Sequence, residues 1–464
     1  MYDQPDAIID QAELRRLEAE YCSWGDTVHY MPEPKYFEGC EGSFMFDGEG
    51  RRYLDLQMWY SAVNFGYRNP RLNAVAHRQL DTLPQVASQY LHREKVELAA
   101  LIARDAERKF GAKGRVHFNV GGAQAVEDSL KLIRNASGGK SLMFAFEGGY
   151  HGRTLGASAI TSSYRYRRRF GHFGDRAQFI EFPYHFRGPK GMSKEEYGIQ
   201  CVKKFERLFE TEYNGVLDTK TGQAEFAAFY IEPIQGTGGY VIPPPNFFIE
   251  LKKVLDRHNI LLVVDEIQMG IYRTGKLWSI EHFGVQPDIL VFGKALTNGL
   301  NPLSGLWAKE ALINPTVFPP GSTHSTFNAN PMGTAVALEA MKMMAETDYE
   351  SMVTAKGAYF LEGLRELQKR WPQIGDVDGL GLALRAEICQ TDGFTPNKAL
   401  LDDIAEEGLK GDVEIDGERL GLILDVGGYY KNVITFAPSL EITTGEIDLA
   451  LRLLDALLHR CTKA

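Results

Sequence analysis

Between about residues 115 and 310 the chain alternates short apolar runs with longer stretches whose apolar positions recur at helical spacing. Residues 115–120 predict a strand. Gly121-Gly122 follows, then a helix over 123–134 with Ala123, Val126, Leu130 and Ile133 on one face. Glu127 and Lys131 stand at the i,i+4 spacing of a helix-surface ion pair. Further strands are predicted at 142–146, 227–231, 261–264 and 289–292. Leu261-Leu262-Val263-Val264 is apolar without alternation, the pattern of a strand covered on both faces. This succession predicts an α/β fold with a largely parallel sheet. Ligands of such sheets bind beyond the carboxyl ends of the strands. Turns at 121–122, 148–152, 232–239, 265–268 and 293–294 fall there.

From about residue 336 the pattern changes. Helices are predicted over 333–346 and 349–370, then short strands and a last helix. That helix carries Ile447, Ala450, Leu451, Leu454, Leu457 and Leu458 on one face, with Thr443 and Glu446 as a capping box at its start. The expected division is a large domain over 71–335 and a smaller α+β domain over 336–464. Residues 1–70 are expected to pack with the small domain or a partner subunit.

The 464 residues are 44% hydrophobic and 24% charged, as suits a globular chain with a sizeable core. A net charge of -10 argues against general attraction to nucleic acid or anionic membrane. The run Tyr164-Arg165-Tyr166-Arg167-Arg168-Arg169-Phe170 is a local exception, suited to a phosphate backbone, a solvated face or a subunit contact. The five scattered cysteines form no C-x-x-C pair, which argues against a disulfide framework or a zinc site and suits a reducing cytoplasm. The acidic, polar N-terminus lacks the pattern of a signal peptide, and no apolar run approaches a membrane span.

Two residues suggest chemistry. Lys294 follows the apolar run 288–293, and desolvation there would depress its pKa and favour imine formation. Asp265 ends the other apolar strand. Alone, each has an ordinary reading: a snorkelling lysine, or a turn or helix-cap aspartate. Together they meet two demands of pyridoxal 5'-phosphate, an amine for the imine and a carboxylate for the pyridine nitrogen. The remaining demands are N–H donors for the phosphate and an aromatic face for the ring.

The stretches Val264-Asp265-Glu266-Ile267-Gln268-Met269-Gly270, Arg273-Thr274-Gly275-Lys276, Pro287-Asp288-Ile289 and Gly293-Lys294-Ala295-Leu296 resemble the signature of class III (ornithine/ω-amino acid type) aminotransferases. The resemblance runs from about Asp47 to the C-terminus. It implies fold type I: a large domain with a mostly parallel, seven-stranded-type sheet and a smaller α+β C-terminal domain. It also implies pyridoxal phosphate, amine and 2-oxo acid substrates, and a homodimer or tetramer with active sites at the subunit interface. By the same resemblance Lys294 is the Schiff-base lysine and proton shuttle, Asp265 pairs with the pyridinium nitrogen, and Gln268 lies near the phenolic oxygen. Gly122 and Ala123 offer N–H groups to the phosphate, Tyr150 stacks on the ring within a motif that includes His151, and Glu232 lies on the ligand-facing edge. Thr326 reaches the phosphate of the neighbouring subunit's cofactor.

Two departures concern the substrate. Thr237 stands where many relatives carry an acidic residue, and Thr435 where many carry the arginine that grips an α-carboxylate. Tyr60 and Arg153 match the tyrosine and arginine with which ornithine aminotransferases hold the α-carboxylate while the distal amine reacts. The expected substrate is therefore a distal amine, an ω-amino acid or a diamine-like compound. Racemisation or epimerisation on the same fold is the competing enzyme reading, although threonine at 237 has no accessible pKa for a second base. A non-catalytic scaffold is the third. The purified protein is expected to carry the cofactor's visible absorption band, and its absence would favour the scaffold.

Overall fold

Parallel pairing brings the chemistry-bearing turns to one edge of a seven-stranded sheet. A computed structural model describes residues 11–25, 29, 34–167, 170 and 177–462. The sheet strands are β1 (Gly114–Asn119), β2 (Leu142–Phe146), β3 (Gln178–Ile180), β4 (Phe226–Ile231), β5 (Leu261–Asp265), β6 (Ile289–Phe292) and β7 (Ser304–Lys309). Their order is β1-β7-β6-β5-β4-β2-β3. Neighbours from β6 through β3 are parallel, and β7 runs against both β6 and β1. Every residue of β4 and β6 is buried. The long helix α1 (Gly122–Ala136) covers one face, with Val126, Leu130 and Ile133 packed near Val263, Val291 and Leu306. The other face carries Phe144, Phe229 and Phe292 and is continuous with the core of the C-terminal part.

Strand β7 is not predicted from the sequence, because serine and glycine open it and break the apolar run. Its glycine is a packing requirement. A Cβ on Gly305 would lie 2.5 Å from the carbonyl oxygen of His117 and 3.0 Å from the Phe292 ring. The expected Glu127–Lys131 pair does not form. Glu127 instead accepts the N–H groups of Gly156 and Ala157, capping the start of a neighbouring helix, and Lys131 donates to the Ser322 carbonyl. The capping box at Thr443 and Glu446 does form, with reciprocal side-chain-to-backbone bonds of 2.7 and 3.2 Å.

Two smaller sheets join distant parts of the chain. One is antiparallel, in the order Ile374–Leu380, Ala383–Ile388, Val433–Phe436, Asp425–Gly427. In the other, the N-terminal strand Arg52–Asp55 pairs in parallel with Glu418–Ile423. The N-terminal residues 1–10, Arg168, Arg169 and the chain end at 463–464 lie outside the described residues. No helix among the described residues is long and apolar enough to cross a membrane.

Arg273 fastens three segments together. It is fully buried, and its guanidinium donates to Ser61 Oγ (2.9 Å), Asn64 Oδ1 (2.6 Å), the Leu382 carbonyl (3.2 Å) and the Pro438 carbonyl (2.6 Å). All four acceptors are neutral, and burial pulls its pKa down to about 10. The Ser61 bond pins an unusual turn. Met58, Trp59, Tyr60 and Ser61 are consecutively left-handed, with φ of 43°, 53°, 57° and 63°. None is glycine, so each residue costs about 1 kcal/mol or more. Asp55 launches the turn by accepting the N–H groups of Gln57 and Met58.

Arg273→Ala would strand four buried acceptors, and is expected to lower the unfolding free energy by about 3–5 kcal/mol. Arg273→Lys keeps the charge but cannot span the same acceptors, and is expected to recover only part of the loss. Urea unfolding followed by circular dichroism reads both.

Candidate active site

The carboxyl ends of β4, β5 and β6 converge on a cavity of about 740 Å³. Tyr60, Tyr150, Arg153, Thr237, Gln268 and Lys294, all singled out from the sequence, line it. Lys294 leaves β6 through Gly293 and adopts φ 45°, a left-handed conformation that costs an L-residue about 1 kcal/mol or more. Burial lowers the pKa of its amine, while the nearby carboxylates Asp265, Glu232 and Asp425 oppose the shift.

Asp265 and His151 are both buried behind the wall, with His151 Nδ1 2.8 Å from Asp265 Oδ2. The Ile267 N–H donates to Asp265 Oδ1 at 3.0 Å. The carboxylate is therefore oriented through both oxygens. The His151 ring sits at an angle against Tyr230, with centroids 4.7 Å apart. Glu232 ties two turns together by accepting the Tyr150 and Gly236 N–H groups, each at 2.8 Å. Burial raises its pKa to about 7, and the neighbouring Asp265 charge pushes the same way, while His151 opposes. The Gln268 amide donates to the Tyr240 hydroxyl at 3.0 Å. Gly236 leaves room for the Gln268 amide, since a Cβ there would lie 2.2 Å from Gln268 Oε1 and push that side chain aside.

Gly122 and Ala123 stand beside this edge at the start of α1. A Cβ on Gly122 would approach Ile267 at 3.0 Å, and one on Gly152 would approach the Ala123 side chain at 2.7 Å. The N-cap residue Gly121 makes no side-chain cap bond, and space opens beside it. The first N–H groups of α1 and the helix dipole therefore suit an anion.

Two predicted residues lie elsewhere. Thr326 is exposed on the loop before residue 331 and does not line the cavity. Thr435, expected at the substrate end, is fully buried and off the wall. The reason is its cross-strand neighbour: Thr435 Oγ1 donates to Asp425 Oδ2 at 2.7 Å, and Asp425 occupies the wall instead. Burial raises the Asp425 pKa, against the Thr435 and Gln57 hydrogen bonds. Sequence reasoning missed Asp425 because no motif marks it. The basic run also contributes, since Arg165 and Tyr166 line the cavity. The Arg153 guanidinium lies 4.5 Å over the Tyr166 ring, which meets Tyr150 edge-on at 5.2 Å. Arg385 is committed elsewhere, to Glu387 at 2.6 Å and to the face of Tyr184.

A desolvated lysine, an oriented buried carboxylate, an uncapped helix start and room beside it fit pyridoxal phosphate. The fold and site are those of a fold type I pyridoxal-phosphate enzyme. The chain matches the aminotransferase class-III family over residues 29–458 and belongs to it. An acetylornithine aminotransferase from Caldanaerobacter subterraneus is 32% identical over 90% of this chain and 93% of its own length. An alanine/serine racemase from Pyrococcus horikoshii is 31% identical over 89% of this chain and 83% of its own. Among solved structures, an amine transaminase from an uncultivated Pseudomonas species, in its PLP-bound form, superposes with a TM-score of 0.81. It is 26% identical and covers 92% of this chain and 95% of that one.

Glu232 gives a prediction whose sign is fixed by burial. Its proton is held more tightly in the folded chain than at the ordinary carboxylate value of 4.5. The stability this contributes is complete below that value and is lost as pH rises through about 7. Relative to wild type, Glu232→Gln apoprotein is therefore expected to gain up to about 3 kcal/mol between pH 4.5 and pH 8. Urea midpoints across that range measure it.

Proposed function

We propose that this class III aminotransferase takes an amino group from the distal amine of its donor and delivers it to a 2-oxo acid. The observation that carries this reading is the placement of Tyr60 and Arg153 on one cavity with Lys294, while Thr435 lies off the wall. A carboxylate at the far end of the donor has Arg153 to meet it. No arginine stands at 435 to seat a carboxylate next to the reacting amine.

Bound pyridoxal phosphate supplies a carbonyl carbon that accepts the amino group and a ring that withdraws electrons from the donor carbon. In our reading Lys294 is the residue whose Nζ would hold that carbonyl carbon, and burial lowers the pKa of its amine, the direction such bonding needs. Lys294 would also be the group that moves a proton at the donor carbon. Asp265, oriented by His151 and the Ile267 N–H, would hold a proton at the ring nitrogen. Gln268 would meet the ring's phenolic oxygen and Tyr150 the ring face, and the N–H groups of Gly122 and Ala123 would hold the phosphate. Thr326 reaches the phosphate of a partner subunit in a homodimer, a role that suits its exposure beside Phe327, itself 67% exposed.

Racemisation is the rival reading, and the Pyrococcus relative is what favours it. It needs a second proton carrier opposite Lys294, and Thr237 supplies none.

Half-reactions separate the two. ω-Amino acids and aliphatic amines are expected to convert the bound cofactor to its amino form, monitored by absorbance, and 2-oxo acids to restore it. The proposal fails if simple α-amino acids alone do so. Exchange of the α-proton in deuterated water, with loss of chirality and no oxo product, would establish racemisation instead. Lys294→Ala is expected to lower turnover by at least about 1000-fold.

A further inference from the structure

Asp425 is a partly buried carboxylate on the wall of the cavity that also holds Lys294. It starts the edge strand Asp425–Gly427 and pairs across the sheet with Thr435. Its hydrogen bonds come from neutral groups only: the Thr435 hydroxyl at 2.7 Å and the Gln57 amide at 3.4 Å. The cations whose charge reaches it are Lys294 and Lys431, and neither forms an ion pair with it. Of the other cations lining the cavity, Lys398 pairs with Asp402, Arg153 lies over the Tyr166 ring, and Arg165 is exposed. A carboxylate held in place by neutral donors and without an ion pair favours an arriving cation. Such a group facing a cavity marks a binding position.

We propose that Asp425 is a specificity-determining residue that receives an ammonium group on the non-reacting part of the donor. The substrate class is then amines with a second, cationic nitrogen: diamines, or amino acids whose head-group ammonium lies away from the reacting end. The inference rests on distal-amine transfer and names what the far part of the donor carries. Thr435 acts through Asp425 by fixing its carboxylate, which gives the threonine at that position a use. A carboxylate at this spot would meet repulsion, so anionic donors must place theirs elsewhere, at Arg153 or Lys431.

The test compares three donors of equal chain length on the holoenzyme: putrescine, butylamine and γ-aminobutyrate, with kcat/KM taken from cofactor conversion. Wild type is expected to prefer putrescine to butylamine by at least about 10-fold. Asp425→Asn is expected to cut kcat/KM for putrescine by about 30-fold, chiefly through KM, while butylamine changes by less than about 3-fold. γ-Aminobutyrate is expected to hold or gain. Equal reactivity of putrescine and butylamine in wild type would overturn the proposal, as would a variant that weakens all three donors alike. Calorimetric binding of tetramethylputrescine, whose tertiary amines cannot condense with a carbonyl, adds a readout independent of turnover. Binding to wild type and its loss in the variant support Asp425 even if no amine is turned over, a result that would sink distal-amine transfer alone. Equal binding to both proteins removes Asp425 from substrate recognition.

Discussion

The guanidinium of Arg273 holds the substrate side of this enzyme in shape. It lies in the interior with four neutral oxygens around it, drawn from the N-terminal turn at Ser61 and Asn64 and from the C-terminal segments at Leu382 and Pro438. An arginine can do this because its donors are rigid and planar and its charge persists under desolvation. The left-handed turn that presents Tyr60 is pinned through the same bond network. Backbone strain of this kind persists only where surrounding contacts over-determine it. The turn is thus a local conformation maintained by residues more than 200 positions away in the chain.

Around the cavity the governing constraint is burial of charge. One lysine and three carboxylates lie together here, Asp265 and Glu232 buried and Lys294 and Asp425 partly buried on the cavity wall. Each is treated differently. Burial pushes Lys294 toward its neutral form, against the pull of the carboxylates. Asp265 is oriented by His151 and a backbone N–H. Glu232 serves two N–H groups with a pKa near 7, so it fastens turns as much as it carries charge. Asp425 is held by the Thr435 hydroxyl and the Gln57 amide, and of the three carboxylates it alone lines the cavity. Similar side chains in one cavity acquire separate roles from their immediate partners.

Much of this was legible in the chain. The unalternating runs 261–264 and 289–292 announced buried parallel strands, and parallel strands put Asp265 and Lys294 on one edge. The pairing of Thr443 with Glu446 is a local signal and forms as read. Glu127 and Lys131 had an equally good local signal, yet each found a stronger partner outside its helix. Spacing alone is blind to such competition. Strand β7 was hidden because its opening residues are chosen for closeness to His117 and Phe292. Thr435 was expected to face the substrate, but it lies one layer too deep.

The sequence by itself determined one edge of the cavity: a lysine, a carboxylate and a glycine-led helix start, each placed by a strand end. Those features are local in the chain, so their order and spacing carry them. Only the tertiary structure decided the rest of the wall. The Asp425 carboxylate, the Tyr60 turn and the Arg153–Tyr166 stack come from four separate segments. They meet through cross-strand pairing and one buried guanidinium, contacts between residues far apart in the chain that no single stretch of sequence spells out.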